Sequence, residues 1–350
     1  MSDQERRLLV LAAALLVPLA ILGMGAAVTP ETTDFRCLWT GAAFVVSGRD
    51  PYDLAIWELL LFAGAVVGAA LLAHAAALSR SLGLALVVIV LASQPFEQTV
   101  MSAQFGGLSL LALGLLAAPR LGSIRPGAGV LLAAMKPHVI PLVPLVRARG
   151  ERARTIVIAL LPIALLALVS LVLRPAWPLG WLAELTGQRR EMFADAVSLW
   201  TLASVAGIPL LGPVLVAAGI VPMTVAAIRA RDLHVLDAMA VAALGWLLLI
   251  PYGLTSGQLA PLAIAWAAIL RRAVTPTTSD WLVVSLFAVA GVLPWAMYLV
   301  RFDVLAYKGL EMTGALVPLA TAVVLAAAIV RSPGVVTSPE RSAKGAATSP

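Results

Sequence analysis

Two residues stand out by their place: Asp34, just after the first apolar stretch, and Lys136, inside a later one, where an ionisable group is costly. Asp34 belongs to Thr33-Asp34-Phe35-Arg36-Cys37-Leu38-Trp39, and Phe35, Leu38, Trp39, Ala42 and Val46 are spaced to cover one face of an interfacial helix. A carboxylate at the start of such a helix has two readings. It caps the helix, satisfying free backbone N–H groups, or it accepts a proton from a hydroxyl held in a nearby cleft, and spacing does not separate the two. Lys136 is the only lysine before Lys308, and Pro137 and His138 follow it between two apolar half segments. An ammonium there faces a cavity holding an anion, for which a lipid phosphate is the natural partner, or it snorkels to the interface. A lone histidine such as His138 is more often a packing or hydrogen-bonding residue than a ligand.

Two glutamines share a pattern. Gln104 opens an apolar stretch in Ser102-Ala103-Gln104-Phe105-Gly106-Gly107, whose glycines allow close backbone approach. Gln258 closes Pro251-Tyr252-Gly253-Leu254-Thr255-Ser256-Gly257-Gln258, a turn on the same side. Each is a capping or turn residue or a binding residue on this evidence. The stretch 174–200 interleaves Trp177, Trp181, Phe193 and Trp200 with Arg174, Arg189, Arg190, Glu191 and Asp195. Interfacial aromatics anchor a protein in the membrane and also form platforms for sugar rings and isoprenyl chains, so this stretch reads as a cover over a lipid-facing groove. His74, His138 and His234 have no metal-ligand spacing and the single cysteine, Cys37, forms no thiol cluster, so no metal site and no cofactor are expected. There is no P-loop, no dinucleotide fingerprint, no Gly-x-Ser-x-Gly elbow and no Asp-x-Asp, which disfavours nucleotide-dependent chemistry.

What must position these residues is a bundle inside a bilayer. The 350-residue chain is 61% apolar and 12% charged. Soluble domains average about 45–50% and ~25%. With ~20 apolar residues per crossing, the length allows about ten to twelve transmembrane or half-membrane helices and no large soluble domain. The expected fold class is all-α and polytopic. The net charge of +6 comes from arginines in short clusters between apolar segments, a topology signal rather than a nucleic-acid footprint. Leu8 to Val28 is longer than a signal-peptide core and reads as a retained helix. Further spans are expected near 55–78, 81–95, 104–118, 155–173, 208–228, 235–254, 257–270, 280–299 and 309–330.

The segment 127–146 is flanked by arginines on both sides, which one crossing cannot satisfy. Two half helices rising ~13 Å each, at ~1.5 Å per residue, would form a hairpin turning at Lys136. Arg6, Arg7, Arg80, Arg120, Arg125, the 147–154 cluster, Arg229, Arg231, Arg271, Arg272 and Arg331 then all fall on the cytoplasmic side. Both termini lie there too, with a disordered tail at 332–350 after a single transmembrane domain at 1–331. The extracytoplasmic side receives the loop 29–54, residues 96–104, the tip at 136–138, the loop 174–207 and the turn near 254–258. These segments carry Asp34, Arg36, Asp50, Glu97, Gln104, Lys136, His138, Arg174 and Gln258. Any chemistry belongs on that face.

In order along the chain, Asp34-Phe35, Ala42-Ala43 and Gly48-Arg49-Asp50-Pro51-Tyr52-Asp53 resemble the Asp-Phe, Ala and Gly-x-x-Pro-Tyr-Asp pattern of glycosyltransferase family 87. Ala103-Gln104 resembles that family's Gly-Gln element, Gly129 through Lys136-Pro137 its Gly-rich helix ending in Lys-Pro, and Ser198-Leu199-Trp200 its Ser-Leu element. The resemblance covers residues 34–200. It implies a GT-C fold and an inverting transfer of a sugar, usually mannose, from a polyprenyl-phosphate donor to a glycolipid or lipid-linked glycan. Ala, Arg and Gly richness suggests a GC-rich bacterial genome, and so a bacterial plasma membrane. By matched position the resemblance makes Asp34 the catalytic base and Lys136 the group that stabilises the leaving phosphate, with Gln104 lining the same cavity. His138 and Arg174, on the same side of the membrane, are further candidates for the phosphate. Arg36, Asp50, Tyr52, Gln104, Trp200 and Gln258 would line the substrate cavity. The chain departs from the family pattern at Ala103, where members carry Gly, and at Gln258, where members often carry a histidine. Two other readings remain: a lipid or solute transporter, which a broken helix also suits, and a paralogue that binds the donor without turning it over.

Overall fold

The computed structural model describes residues 54–101, 106–118, 197–229, 234–249, 255–273, 276–292 and 308–331, with isolated positions between 129 and 179 and at 294. All regular structure among the described residues is helical. In chain order the helices are α1 (Leu54–Ala75), α2 (Arg80–Ala92), α3 (Gln94–Met101), α4 (Gly106–Ala117), α5 (Leu199–Val205) and α6 (Leu211–Arg229). They are followed by α7 (Val235–Leu249), α8 (Thr255–Leu270), α9 (Pro276–Leu286), which continues as a π-helical stretch (Phe287–Val292), and α10 (Lys308–Arg331). Two segments, Leu211–Ile228 and Gly314–Arg331, are long and apolar enough to cross a bilayer, and α2 with α3 would count as a third, bent by 57°. Five further apolar helices are shorter.

Local chemistry explains where the helices stop. α1 ends in two backbone bonds, Leu78 N–H to the Ala73 carbonyl (3.0 Å) and Ala77 N–H to the His74 carbonyl (3.0 Å). This is a Schellman closure, and its pivot residue Ala77 sits at φ 52°, where glycine is usual. α5 closes the same way through Gly207 at φ 72°, with Ile208 N–H bonded to the Ala203 carbonyl. The bend between α2 and α3 has a proline cause. Pro95 has no N–H to return to Leu91, so α2 stops, and Ser93 serves both helices. Its hydroxyl donates to the Val90 carbonyl (2.7 Å), while its own carbonyl accepts from Phe96 (3.1 Å) and Glu97 (3.2 Å).

The core is built around α8. Every residue from Leu259 to Leu270 is buried, and all of them other than Pro261 are at most 1% exposed, as expected for a helix apolar on all sides. It packs against α1, α2, α3, α4, α7, α9 and α10. Trp266, fully buried at its centre, donates its indole N–H to the Thr321 hydroxyl of α10 (3.4 Å). The tightest helix pair is α1 with α4, where glycines bring the backbones together. A Cβ on Gly68 would lie 2.6 Å from the Leu110 carbonyl carbon, one on Gly114 would lie 2.7 Å from the Gly68 carbonyl oxygen, and one on Gly107 would collide with the Leu61 carbonyl oxygen. This is the small-residue packing that membrane helices use in the absence of a hydrophobic drive between them. On the outside, Val214, Val221, Val225 and Ile228 of α6 and Val323 and Val330 of α10 are 40–73% exposed. Such apolar stripes suit hydrocarbon rather than water.

Helix directions follow from these contacts. Gly64 faces Gly107 and Gly68 faces Leu110, so α1 and α4 run parallel; Gly83 of α2 faces Ala73, so α2 returns beside them. Gly219 of α6 meets both Leu248 of α7 and Leu319 of α10. The result is that Arg80, Arg229, Arg271, Arg272 and Arg331 all stand at one end of the bundle, as the charge pattern of the sequence predicts. The other end carries α3, α5 and the start of α8.

Candidate functional site

At the end opposite the arginines, three elements converge. The first is the corner between α2 and α3, where Ser93, Gln94 and Thr99 are at most 2% exposed. The sequence Gln94-Pro95-Phe96-Glu97-Gln98-Thr99 is a poor core helix, yet α3 lies on α8 and against α1, α2 and α4. The Thr99 hydroxyl is satisfied by the Pro95 carbonyl (2.7 Å), and Phe96 meets Phe62 of α1 edge to face at 5.9 Å. Glu97 is half-buried and accepts from the Gln98 amide (3.0 Å).

The second element is α5. Ser198 is its N-cap, accepting from the Thr201 N–H (3.1 Å) and sharing a hydroxyl–hydroxyl bond with Thr201 (2.9 Å). Both side chains are buried. The third element is the first turn of α8, where Gln258 is 4% exposed. Two long-range hydrogen bonds tie α5 to the α7–α8 pair. The Gln258 amide donates to the Val197 carbonyl (3.5 Å), and the Trp200 indole N–H donates to the Leu249 carbonyl at the end of α7 (3.3 Å). The Trp200 ring also covers Gly212, where a Cβ would sit 3.2 Å from it.

Six of the ten buried polar or charged residues among those described, namely Ser93, Gln94, Thr99, Ser198, Thr201 and Gln258, are therefore at this end, and none of the six carries a charge. Hydroxyls, amides and an indole hold polyhydroxylated groups by hydrogen bonds. A phosphate would need a cation as well.

Of the residues singled out from the sequence, Trp200 and Gln258 are brought to the same end, each holding α5. Gln258 lies inside the first turn of α8 rather than in the turn before it. Asp34, Arg36, Asp50, Tyr52, Gln104, Lys136, His138 and Arg174 lie outside the described residues. Gly129, the start of the Gly-rich stretch, is helical and packs on the last turn of α4, where a Cβ would lie 2.9 Å from Leu116. Among the described residues no group of three or more His, Cys, Asp or Glu is placed to hold a metal.

The basic end holds a cluster that the sequence analysis does not single out. Asp237, 1% exposed in the first turn of α7, takes Arg271 (2.6 Å) and Arg272 (2.7 Å) on one carboxylate oxygen, Oδ2. The placement is favourable for both helices, a carboxylate at the N-terminus of α7 and guanidinium groups at the C-terminus of α8. His234 adds a cap, its Nδ1 accepting from the Leu236 N–H (3.3 Å). The available signal was an aspartate inside an apolar run, which calls for a cationic partner. Arg331 completes this end by lying 4.8 Å over the Trp281 ring.

No family model matches the chain, and neither a curated protein nor a solved structure is significantly similar to it.

Proposed function

We propose that the chain is a polytopic membrane glycosyltransferase of GT-C-like fold, with ten to twelve full or half spans. It moves a sugar, mannose by the family resemblance, from a polyprenyl-phosphate donor to a lipid or lipid-linked glycan acceptor, with inversion, on the extracytoplasmic face. The observation that carries this reading is the segregation of polar groups. Charged residues hold the arginine-bearing end together, and the opposite end gathers buried neutral hydrogen-bonding groups from α3, α5 and α8, including Gln258, with the half-buried Trp200 beside them. By the positive-inside rule the arginine-bearing end is cytoplasmic. The sugar-binding end then faces outward, where Asp34 and Lys136 are expected.

In this reading Asp34 takes the proton of the acceptor hydroxyl as that oxygen attacks the anomeric carbon. The bond from the anomeric carbon to the phosphate oxygen breaks on the opposite side, and its electron pair leaves on a phosphate stabilised by Lys136. The interior of the described bundle favours an enzyme over a transporter. Between the two ends α8 presents only buried apolar side chains and Trp266, whose N–H is taken by the Thr321 hydroxyl, so α8 itself lines no polar route.

The test is transfer of radiolabelled mannose from polyprenyl-phosphate mannose to lipid acceptors, in membranes carrying wild type or Asp34→Asn. Asparagine keeps the shape and capping ability of aspartate but is no base. A labelled product that falls by orders of magnitude in the variant at equal protein level is the expected result. Equal turnover in both proteins rejects Asp34 as the base, and no product from wild type rejects the donor class.

A further inference from the structure

Gln258 is held in one orientation. Its Nε2 donates to the Val197 carbonyl, and the reverse orientation would set two oxygens against each other, so Oε1 is fixed on the other side of the amide. That oxygen is buried and has no hydrogen-bond partner among the described residues. A buried amide oxygen left unbonded is expensive, and native proteins rarely tolerate one without a water or a ligand. The adjacent residue adds a second acceptor. Pro261 has no N–H, so the intrahelical bond that would close on the Gly257 carbonyl cannot form. Consecutive residues at the start of α8 thus offer two oxygens that accept and, with Nε2 committed, no side-chain donor. Both belong to the end of the bundle that collects neutral polar groups.

We infer that Gln258 is a specificity-determining residue that accepts a hydrogen bond from a hydroxyl of the substrate sugar. This rests on the glycosyltransferase reading and deepens it. An acceptor-only oxygen repels a phosphate oxygen and selects a neutral O–H donor, so Gln258 reads the sugar and leaves the phosphate to a cation. Its amide meanwhile fixes Val197, just ahead of Trp200, so the same side chain links the sugar to α5. The hydroxyl belongs to the transferred hexose or to the sugar of the acceptor. The chemistry is the same, and experiment separates the two.

The experiment compares transfer from polyprenyl-phosphate mannose and from its monodeoxy analogues, and separately to acceptor and monodeoxy acceptor, by wild type, Gln258→Met and Gln258→Asn. Thermal melting of each protein is measured alongside, and Gln258→Asn keeps a polar amide, retracted by one methylene, in case methionine impairs folding. In wild type, removal of one particular hydroxyl should lower kcat/KM on the order of ten- to a hundredfold. In the variants the parent substrate should lose a similar factor and the deoxy analogue should lose nothing further. Compensation in the donor series places the hydroxyl on the transferred hexose, and in the acceptor series on the acceptor. If both variants lower transfer equally for every substrate, Gln258 only holds α5 and the inference is overturned. If wild type transfers from none of these donors, the polyprenyl-phosphate mannose donor on which the glycosyltransferase reading rests falls and takes the inference with it, an outcome recognised by the inactive wild type.

Discussion

Adding one methyl group at Gly68 and the same group at Gly245 should have opposite effects. Both are glycines inside helices, so propensity alone favours alanine at each, by at most about 1 kcal/mol. Around Gly245 nothing lies within 4 Å of a new Cβ, and Gly245→Ala should be neutral or slightly stabilising. At Gly68 the methyl carbon would lie 2.6 Å from the Leu110 carbonyl carbon and 2.6 Å from the Leu111 nitrogen. Ordinary carbon contacts need about 3.5–4.0 Å, so α1 and α4 must separate by about 1 Å. The obstacle is backbone, which has no rotamer to change. A gap of that size forfeits roughly a quarter to a half of the dispersion attraction along the seam, and overpacking of this kind costs about 1–3 kcal/mol. Propensity cancels between the two, so the variants should differ by about 1–3 kcal/mol, roughly one to two powers of ten in the folding constant. Reversible unfolding in detergent micelles, by denaturant titration or steric trapping, reads this directly. Equal stability of the two variants would refute the close approach of α1 and α4.

Asp237→Asn should destabilise the protein by about 3–5 kcal/mol, because two nearly buried guanidinium groups lose their carboxylate, and the same unfolding titration checks it. Ala77→Gly should raise stability by about 1 kcal/mol, since alanine at φ 52° carries a steric penalty that glycine does not; an unchanged melting midpoint would contradict the left-handed closure of α1. Lys136→Met should weaken binding of polyprenyl-phosphate mannose, measured by native mass spectrometry, far more than it lowers the melting temperature. A lysine that only snorkels would give the reverse.

Apolar runs and arginine clusters are strong signals because they answer to the bilayer, a solvent with one direction. The runs at 55–78, 208–228 and 257–270 accordingly coincide with α1, α6 and α8 to within a few residues. Interactions that depend on partners distant in sequence were not legible. Asp237 gives no hint by spacing that it meets Arg271 and Arg272, since the pairing is made by the antiparallel packing of α7 and α8. Nor does Gln258 announce its bond to Val197, which requires α5 to dock first. The helix at Gln94–Met101 was hidden for a different reason, because its composition is that of a loop and its helicity is owed to Ser93, Pro95 and burial against α8. Of the candidate site residues read from the sequence, Trp200 and Gln258 gather at the end opposite the arginines. The sequence did not reveal the hydroxyl pair of Ser198 and Thr201, whose joint role is a matter of cap geometry.

The central position of α8 also bears on how the chain is made. α3 and α4 leave the ribosome well before α8 does, yet α8 is the helix on which α3 lies and against which α4 packs. During synthesis the corner that carries Gln94 and Thr99 must therefore wait at the membrane surface or beside the insertion machinery, because acyl chains offer its polar side chains nothing. The arrival of α8 completes the core and seats the candidate site in the same event. A chain stalled before residue 255 would have α1 and α4 with their facing glycines while lacking both Gln258 and the helix against which α3 and α4 pack.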